Sequence, residues 1–101
     1  MLTLITDRID ALDVKLAQIE QLRAQSPAVA ETVAGYHLEG PYLRPEPGYH
    51  GAHPPELMKA PELTEFERLW EASGGNIRLI TLAPEWPGSP EFIRHVVARG
   101  V

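Results

Sequence analysis

The sequence predicts an α/β fold: three βα units with a parallel sheet. Three observations point there. Short apolar runs with β-branched residues stand at 2–5, 33–38 and 77–82. Stretches with apolar residues three and four apart follow them, and that spacing is the helical period. Proline and glycine clusters separate the two kinds of segment. Strands alternating with helices imply right-handed crossovers and a parallel sheet with helices packed on it.

Leu2, Thr3, Leu4 and Ile5 form the first strand, and Thr6 and Asp7 then offer oxygens to cap a helix. In that helix Ile9, Leu12, Leu16, Ile19 and Leu22 make an apolar stripe, with Asp10, Asp13, Lys15, Glu20 and Arg23 between them. It ends near Gln25, because Pro27 pushes Ser26 out of helical geometry. The second strand covers 33–38, supported by Tyr36 and weakened by Gly35. A long irregular stretch, 39–63, then holds Pro41, Pro45, Pro47, Pro54, Pro55 and Pro61, six of the ten prolines. Loops of that length inside a compact domain are usually functional or disordered, and proline stiffens this one. Thr64 is expected to cap a helix carrying Phe66, Leu69 and Trp70, stopped by Gly74-Gly75. After the third strand, Ser89-Pro90-Glu91 reads as an N-cap, a proline at the first helical position and an acid in the first turn. Phe92, Ile93, Val96 and Val97 line that last helix, and Gly100 ends it.

At 101 residues the chain is expected to form one domain. Its 44% hydrophobic and 23% charged residues suit a soluble globular protein and argue against a disordered one. A net charge of −5, with acids and bases interleaved, offers no concentrated basic face. Nucleic acid and anionic membrane surfaces are therefore not expected partners. Without cysteine there is neither a disulfide framework nor a thiolate metal site, so any metal must be held by His, Asp or Glu. No apolar run approaches the ~18 residues of a bilayer span. The opening MLTLITDRID lacks the regions of a signal peptide, and a cytoplasmic location is the expectation.

In parallel α/β architectures the active groups gather where the strands end at their C-termini. Here that rim collects Thr6, Asp7, Glu39 and Glu85, with the proline-rich loop over it. His37 and Glu39 stand two apart, so both leave the same face of a continuing strand. Imidazole with carboxylate suits zinc, iron or manganese, yet metal sites usually take three or four protein ligands. The same pair is also a satisfied strand histidine beside a carboxylate that holds a turn. His50 and His53 flank Gly51-Ala52, where glycine lets the chain pass close to a ligand. They are otherwise plain loop histidines. His95 reads as a boundary residue, Trp70 as core and Glu85 as a turn residue, and Arg44 alone is weak support for phosphate binding. There is no phosphate-binding loop, dinucleotide fingerprint, serine elbow or cysteine nucleophile.

The run Gly35-Tyr36-His37-Leu38-Glu39-Gly40-Pro41-Tyr42-Leu43, followed by Gly51-Ala52-His53, closely resembles the signature of N-acetylglucosamine-6-phosphate deacetylases, in the amidohydrolase superfamily. Thr81-Leu82-Ala83-Pro84-Glu85 resembles a second motif of that family. The resemblance implies part of a metal-dependent (β/α)8 TIM barrel. It also implies hydrolysis of the N-acetyl amide of N-acetylglucosamine 6-phosphate, giving glucosamine 6-phosphate and acetate. Glu39 would ligate a divalent metal (zinc, iron or manganese), with His37 a motif neighbour. Ala52 and His53 would contact the amino sugar, His53 helping to polarise the acetamide carbonyl. One departure lies inside the match: the link Glu46-Pro47-Gly48-Tyr49-His50 is longer than the family's usual one.

The resemblance covers nearly the whole chain but only roughly a quarter of a full family chain, a barrel with an additional domain running to about 400 residues. It implies that further histidine ligands, a proton-moving aspartate and the main phosphate-binding residues follow Val101, and that an H-x-H strand precedes Met1. One carboxylate cannot hold a catalytic metal against water, and three strands cannot close a barrel. The chain alone is therefore expected to be an inactive or weakly active segment, with loop 39–63 carrying the site motif. The alternative is a non-catalytic α/β module. In either case unpaired sheet edges favour homo-oligomerisation or association with the missing parts.

Overall fold

The computed structural model describes residues 1–101. Its elements run β1 (Leu2–Ile5), α1 (Ile9–Gln25), α2 (Pro27–Thr32), β2 (Tyr36–Glu39), α3 (Leu63–Ala72), β3 (Ile77–Thr81) and α4 (Ser89–Ala98). A 3-10 turn at Pro55–Leu57 interrupts the long loop between β2 and α3. The strands lie in the order β1-β2-β3, and both pairs are parallel. The expected α/β architecture therefore forms. No helix is long and apolar enough to cross a membrane.

Alternation sorts the strand side chains onto two faces. Leu4, Tyr36, Leu38 and Ile77 join the core with Leu12 and Leu16 of α1, Phe66 and Leu69 of α3, and Phe92 and Val96 of α4. On the other face, Thr3 is level with His37 and Leu79, and Ile5 with Glu39 and Thr81. That face stays open, leaving Ile5 60% and Leu79 44% exposed. An irregularity in β3 sets this phase. Tyr36 stands opposite Ile77 but His37 opposite Leu79, so Arg78 is passed over. The extra residue lets Ile77 and Ile80 both meet the core while Leu79 and Thr81 both face outward.

Aromatic contacts tie the loop after β2 into the core. Tyr42, from that loop, meets Phe92 edge-on with centroids 5.3 Å apart, and Phe92 meets Phe66 at 5.8 Å. Such pairs add about 0.5–1.5 kcal/mol each beyond simple burial. The loop that leaves Glu39 is thereby anchored to α4 through Tyr42.

Several element ends differ from expectation, each for an identifiable reason. Neither Thr6 nor Asp7 caps α1: the N-cap position is Arg8, without a side-chain cap bond. Asp7 instead accepts the Arg8 N–H at 2.8 Å, and Thr6 turns elsewhere. Leu22, placed in the apolar stripe, is 54% exposed. The 17 residues of α1 span about 25 Å, whereas a strand of four covers about 13 Å, so the helix outruns the sheet beneath it. Ser26-Pro27 stops α1 as expected but also starts α2: Ser26 accepts the Val29 N–H at 3.3 Å, with Pro27 in the first turn. That helix takes Val33 as its C-cap, so β2 begins at Tyr36 and reaches Glu39. Glu62, not Thr64, is the N-cap of α3, and Gly88, not Ser89, that of α4. Gly88 adopts φ 82°, which places the helix start one residue early and leaves Ser89 Oγ buried without a partner. β3 ends at Thr81, one residue short of the expected 77–82.

Candidate functional site

Glu39 closes β2 on the open face, its side chain 39% exposed. His37 shares that face but is already engaged. Its Nδ1 lies 3.2 Å from Thr3 Oγ1 on β1, and its Nε2 lies 2.7 Å from Thr81 Oγ1 on β3. One imidazole thus bridges both neighbouring strands, and both ring nitrogens are occupied. The period-two pair separates into a stapling histidine and the carboxylate beside it.

The carboxylate's neighbour comes from the loop. His53 Nε2 is 3.6 Å from Glu39 Oε1, and His53 Nδ1 is 2.8 Å from Thr6 Oγ1. The same Thr6 hydroxyl lies 3.3 Å from the Glu39 carbonyl oxygen, and Thr6 is only 4% exposed. Gly40 makes this possible. It adopts φ 89°, and a Cβ built there would sit 2.0 Å from Thr6 Oγ1. Glycine is therefore needed both for the backbone and for the space beside the hydroxyl. Ala52 is exposed in the turn that His53 N–H closes on the His50 carbonyl at 3.1 Å. His50 Nδ1 contacts the His53 carbonyl oxygen at 3.1 Å, a contact within the loop.

Tertiary hydrogen bonds, more than regular structure, hold the rest of the loop. Gly40 N–H donates to Thr81 O at 3.2 Å, Ala83 N–H to Tyr42 O at 2.8 Å, and Lys59 N–H to Pro41 O at 3.1 Å. Trp86 donates its indole N–H to Leu43 O at 3.0 Å. Burial pushes the Tyr42 phenol well above its ordinary range. The Lys59 ammonium is 2.6 Å from Glu65 and 3.5 Å from Glu62, and the bond to Glu65 raises its pKa.

Other residues nominated from the sequence stand apart from Glu39. Asp7 pairs with Lys15 at 2.6 Å, and that bond, with the Arg8 N–H, holds its carboxyl below the usual range. Arg44 binds both carboxylate oxygens of Glu46 at 2.9 and 3.0 Å and lies over the Tyr49 ring at 4.6 Å. Glu85 is exposed and shares a depression of about 200 Å³ with Arg44 and Trp86. A roomier groove of about 630 Å³, lined by Asp7, Lys59, Glu65 and Arg68 among others, includes neither Glu39 nor His53. His95 bonds Glu67 at the boundary between α3 and α4, and Trp70 packs against the core. No three His, Asp or Glu side chains are arranged to hold a metal ion. Sequence reasoning set Thr6 on the rim and read it as a helix cap, but missed its contacts with His53 and the Glu39 carbonyl, which join positions far apart in the chain.

No protein-family model matches the chain. Curated relatives do. An N-acetylgalactosamine-6-phosphate deacetylase of Escherichia coli O157:H7 is 36% identical over 99 residues, covering 98% of this chain and 26% of the relative. An N-acetylglucosamine-6-phosphate deacetylase of Bos taurus is 37% identical over 101 residues, covering 98% of this chain and 24% of the relative. Among solved structures, the N-acetyl-D-glucosamine-6-phosphate deacetylase of Mycobacterium smegmatis superposes with a TM-score of 0.81 at 34% identity, covering 98% of this chain and 26% of that one. A mutant of that enzyme, solved in complex with N-acetyl-D-glucosamine-6-phosphate, gives the same TM-score. The three-stranded sheet and its helices thus match part of a deacetylase structure. The chain belongs to the N-acetylglucosamine-6-phosphate deacetylase family and spans about a quarter of the length of the relatives it matches.

Proposed function

We propose that this chain supplies part of the active site of an enzyme that hydrolyses the acetamide of N-acetylhexosamine 6-phosphates, N-acetylglucosamine 6-phosphate in particular. The observation that carries this reading is the approach of Glu39 Oε1 and His53 Nε2 to 3.6 Å at the C-terminal end of β2. Glu39 would hold the metal: it is an anionic oxygen donor on the open sheet face, beside a nitrogen base. Carboxylate and imidazole donors suit zinc, iron or manganese. A divalent cation there would supply Lewis acidity toward the amide carbonyl and acidify water. His53 would orient the acetamide, and the small side chain of exposed Ala52 leaves room for the sugar to approach. The donors present fall short of the three or four protein ligands that such a metal takes. The chain is accordingly read as contributing to a site rather than completing one.

Acetate release from N-acetylglucosamine 6-phosphate by the purified chain, with zinc, manganese or ferrous iron added, tests this reading. Little or no turnover is expected. Manganese is expected to broaden the Glu39 side-chain resonances in the wild type, and Glu39→Gln should abolish that effect. Turnover that persists in Glu39→Gln, or manganese that leaves Glu39 unaffected, would overturn the assignment.

The sheet edges favour a second reading. β1 and β3 are each paired on one side only. An apolar groove of about 460 Å³ runs along β3 and α4, lined by Leu79, Ile80, Leu82, Ile93 and Val97 among others. A non-catalytic module that associates through these edges accounts for both features. Concentration-dependent mass in sedimentation, together with no manganese effect at Glu39, would select this reading over the first.

A further inference from the structure

We infer that Thr6 is a positioning residue for the Glu39–His53 pair, its single hydroxyl tying the loop histidine to the strand that carries the carboxylate. The inference rests on the reading of Glu39 and His53 given above. A buried hydroxyl needs hydrogen-bond partners, and α1, which begins only three residues later, is the obvious place to find one. Thr6 makes no cap bond there. Both of its contacts go to the candidate site instead: His53 Nδ1 at 2.8 Å and the Glu39 carbonyl oxygen at 3.3 Å.

The geometry gives those contacts a purpose. An imidazole carries its two nitrogens on different edges of one rigid ring, so a restraint on one nitrogen directs the other. With Nδ1 held by Thr6, the ring presents Nε2 to the Glu39 carboxylate. His53 otherwise hangs from a turn whose closing bonds run only to His50. Thr6 is the contact that refers its ring to the sheet. Gly40 completes the device from the other side, because any side chain there would meet the Thr6 hydroxyl at 2.0 Å. Thr6 touches neither substrate nor metal in this scheme; it acts through His53.

The test is NMR on the 101-residue chain and its Thr6→Val and Thr6→Ser variants, with manganese as the only added probe. Thr6→Val should keep the amide pattern of the sheet but lose the nuclear Overhauser contacts from the His53 ring to residue 6 and to Glu39. Thr6→Ser should restore them. Manganese held at Glu39 should broaden Glu39 and nearby His53 alike in the wild type and in both variants, so the ring contacts alone report the restraint. If the valine disturbs the sheet, Thr6→Ala makes the same comparison with less bulk. A His53 ring held equally well without the hydroxyl, or not restored by serine, overturns the inference. Manganese that broadens neither residue in the wild type overturns the metal reading, and the ring contacts then decide the Thr6 restraint separately.

Discussion

Gly40→Ala should destabilise the chain more than its backbone conformation alone explains. Gly40 has φ 89° and Gly88 has φ 82°, so alanine costs about 1–2 kcal/mol at either position for the left-handed backbone. Their surroundings differ. A Cβ at Gly88 meets nothing within 4 Å, whereas one at Gly40 meets Thr6 Oγ1 at 2.0 Å and Thr6 Cβ at 3.2 Å. The hydroxyl has to leave, and its contacts to His53 and to the Glu39 carbonyl go with it. At about 0.5–1.5 kcal/mol per hydrogen bond, Gly40→Ala should exceed Gly88→Ala by about 2 kcal/mol. For a domain of this size that difference lowers Tm by roughly 10 °C. It is also a large share of a total stability on the order of 5–15 kcal/mol. Urea unfolding followed by circular dichroism compares the two midpoints at equal m-value. Equal midpoint shifts for the two variants would refute the steric argument and the close Thr6–Gly40 packing behind it.

Three further outcomes are expected. His37→Ala removes both hydroxyl contacts across the sheet and should cost about 1–3 kcal/mol, while the manganese effect at Glu39 persists; loss of that effect would make His37 a ligand after all. The Lys15 bond holds the Asp7 carboxyl below its ordinary value of 3.8, so the folded state takes up that proton less readily than the unfolded chain. Its contribution is complete above the ordinary value and disappears as the pH falls through the folded one. Lys15→Met should therefore flatten the acid limb of the stability curve, and an unchanged limb would rule the pair out as its cause. Burial, ahead of the bonds to Glu20 and Glu65, raises the Tyr36 and Tyr42 phenols above 10.0. Their contribution is complete below pH 10.0 and falls as the pH rises further, because the unfolded chain ionises first. Tyr42→Phe should reduce that alkaline slope with little change near neutrality, whereas Tyr42→Ala should cost about 3–5 kcal/mol by emptying the space against Phe92.

The fold was legible because its instructions are local. The β-branched apolar runs, the helical spacing of Leu12 and Leu16, and the stops at Ser26-Pro27 and Gly74-Gly75 act on residues close in the chain. The elements follow them. The misjudged positions have different causes: a non-local partner at Thr6, the limited reach of the sheet at Leu22, and an adjacent residue at Ser89. Thr6 is an adequate cap residue, but His53 and the Glu39 peptide claim its hydroxyl. Leu22 fits the stripe, but α1 extends past the sheet that would bury it. Ser89 fits a cap, but Gly88 takes the left-handed turn first.

The candidate site divides along the same line. From the sequence alone came the alternation that sets Glu39 on one strand face, the rim where β1 and β2 end, and the family resemblance that names Glu39, Ala52 and His53. Only the tertiary structure decided which of these meet. It brought His53 to Glu39, left Ala52 exposed in the adjoining turn, and withdrew His37 into a bridge between β1 and β3. It also chose Thr6 as the residue joining the loop to the strand. Thr6 and His53 are 47 positions apart, as His37 and Thr81 are 44 apart. Backbone preferences reach only a few residues along the chain, so distances across such separations are set by the packing of α1, α3 and α4 beneath the sheet.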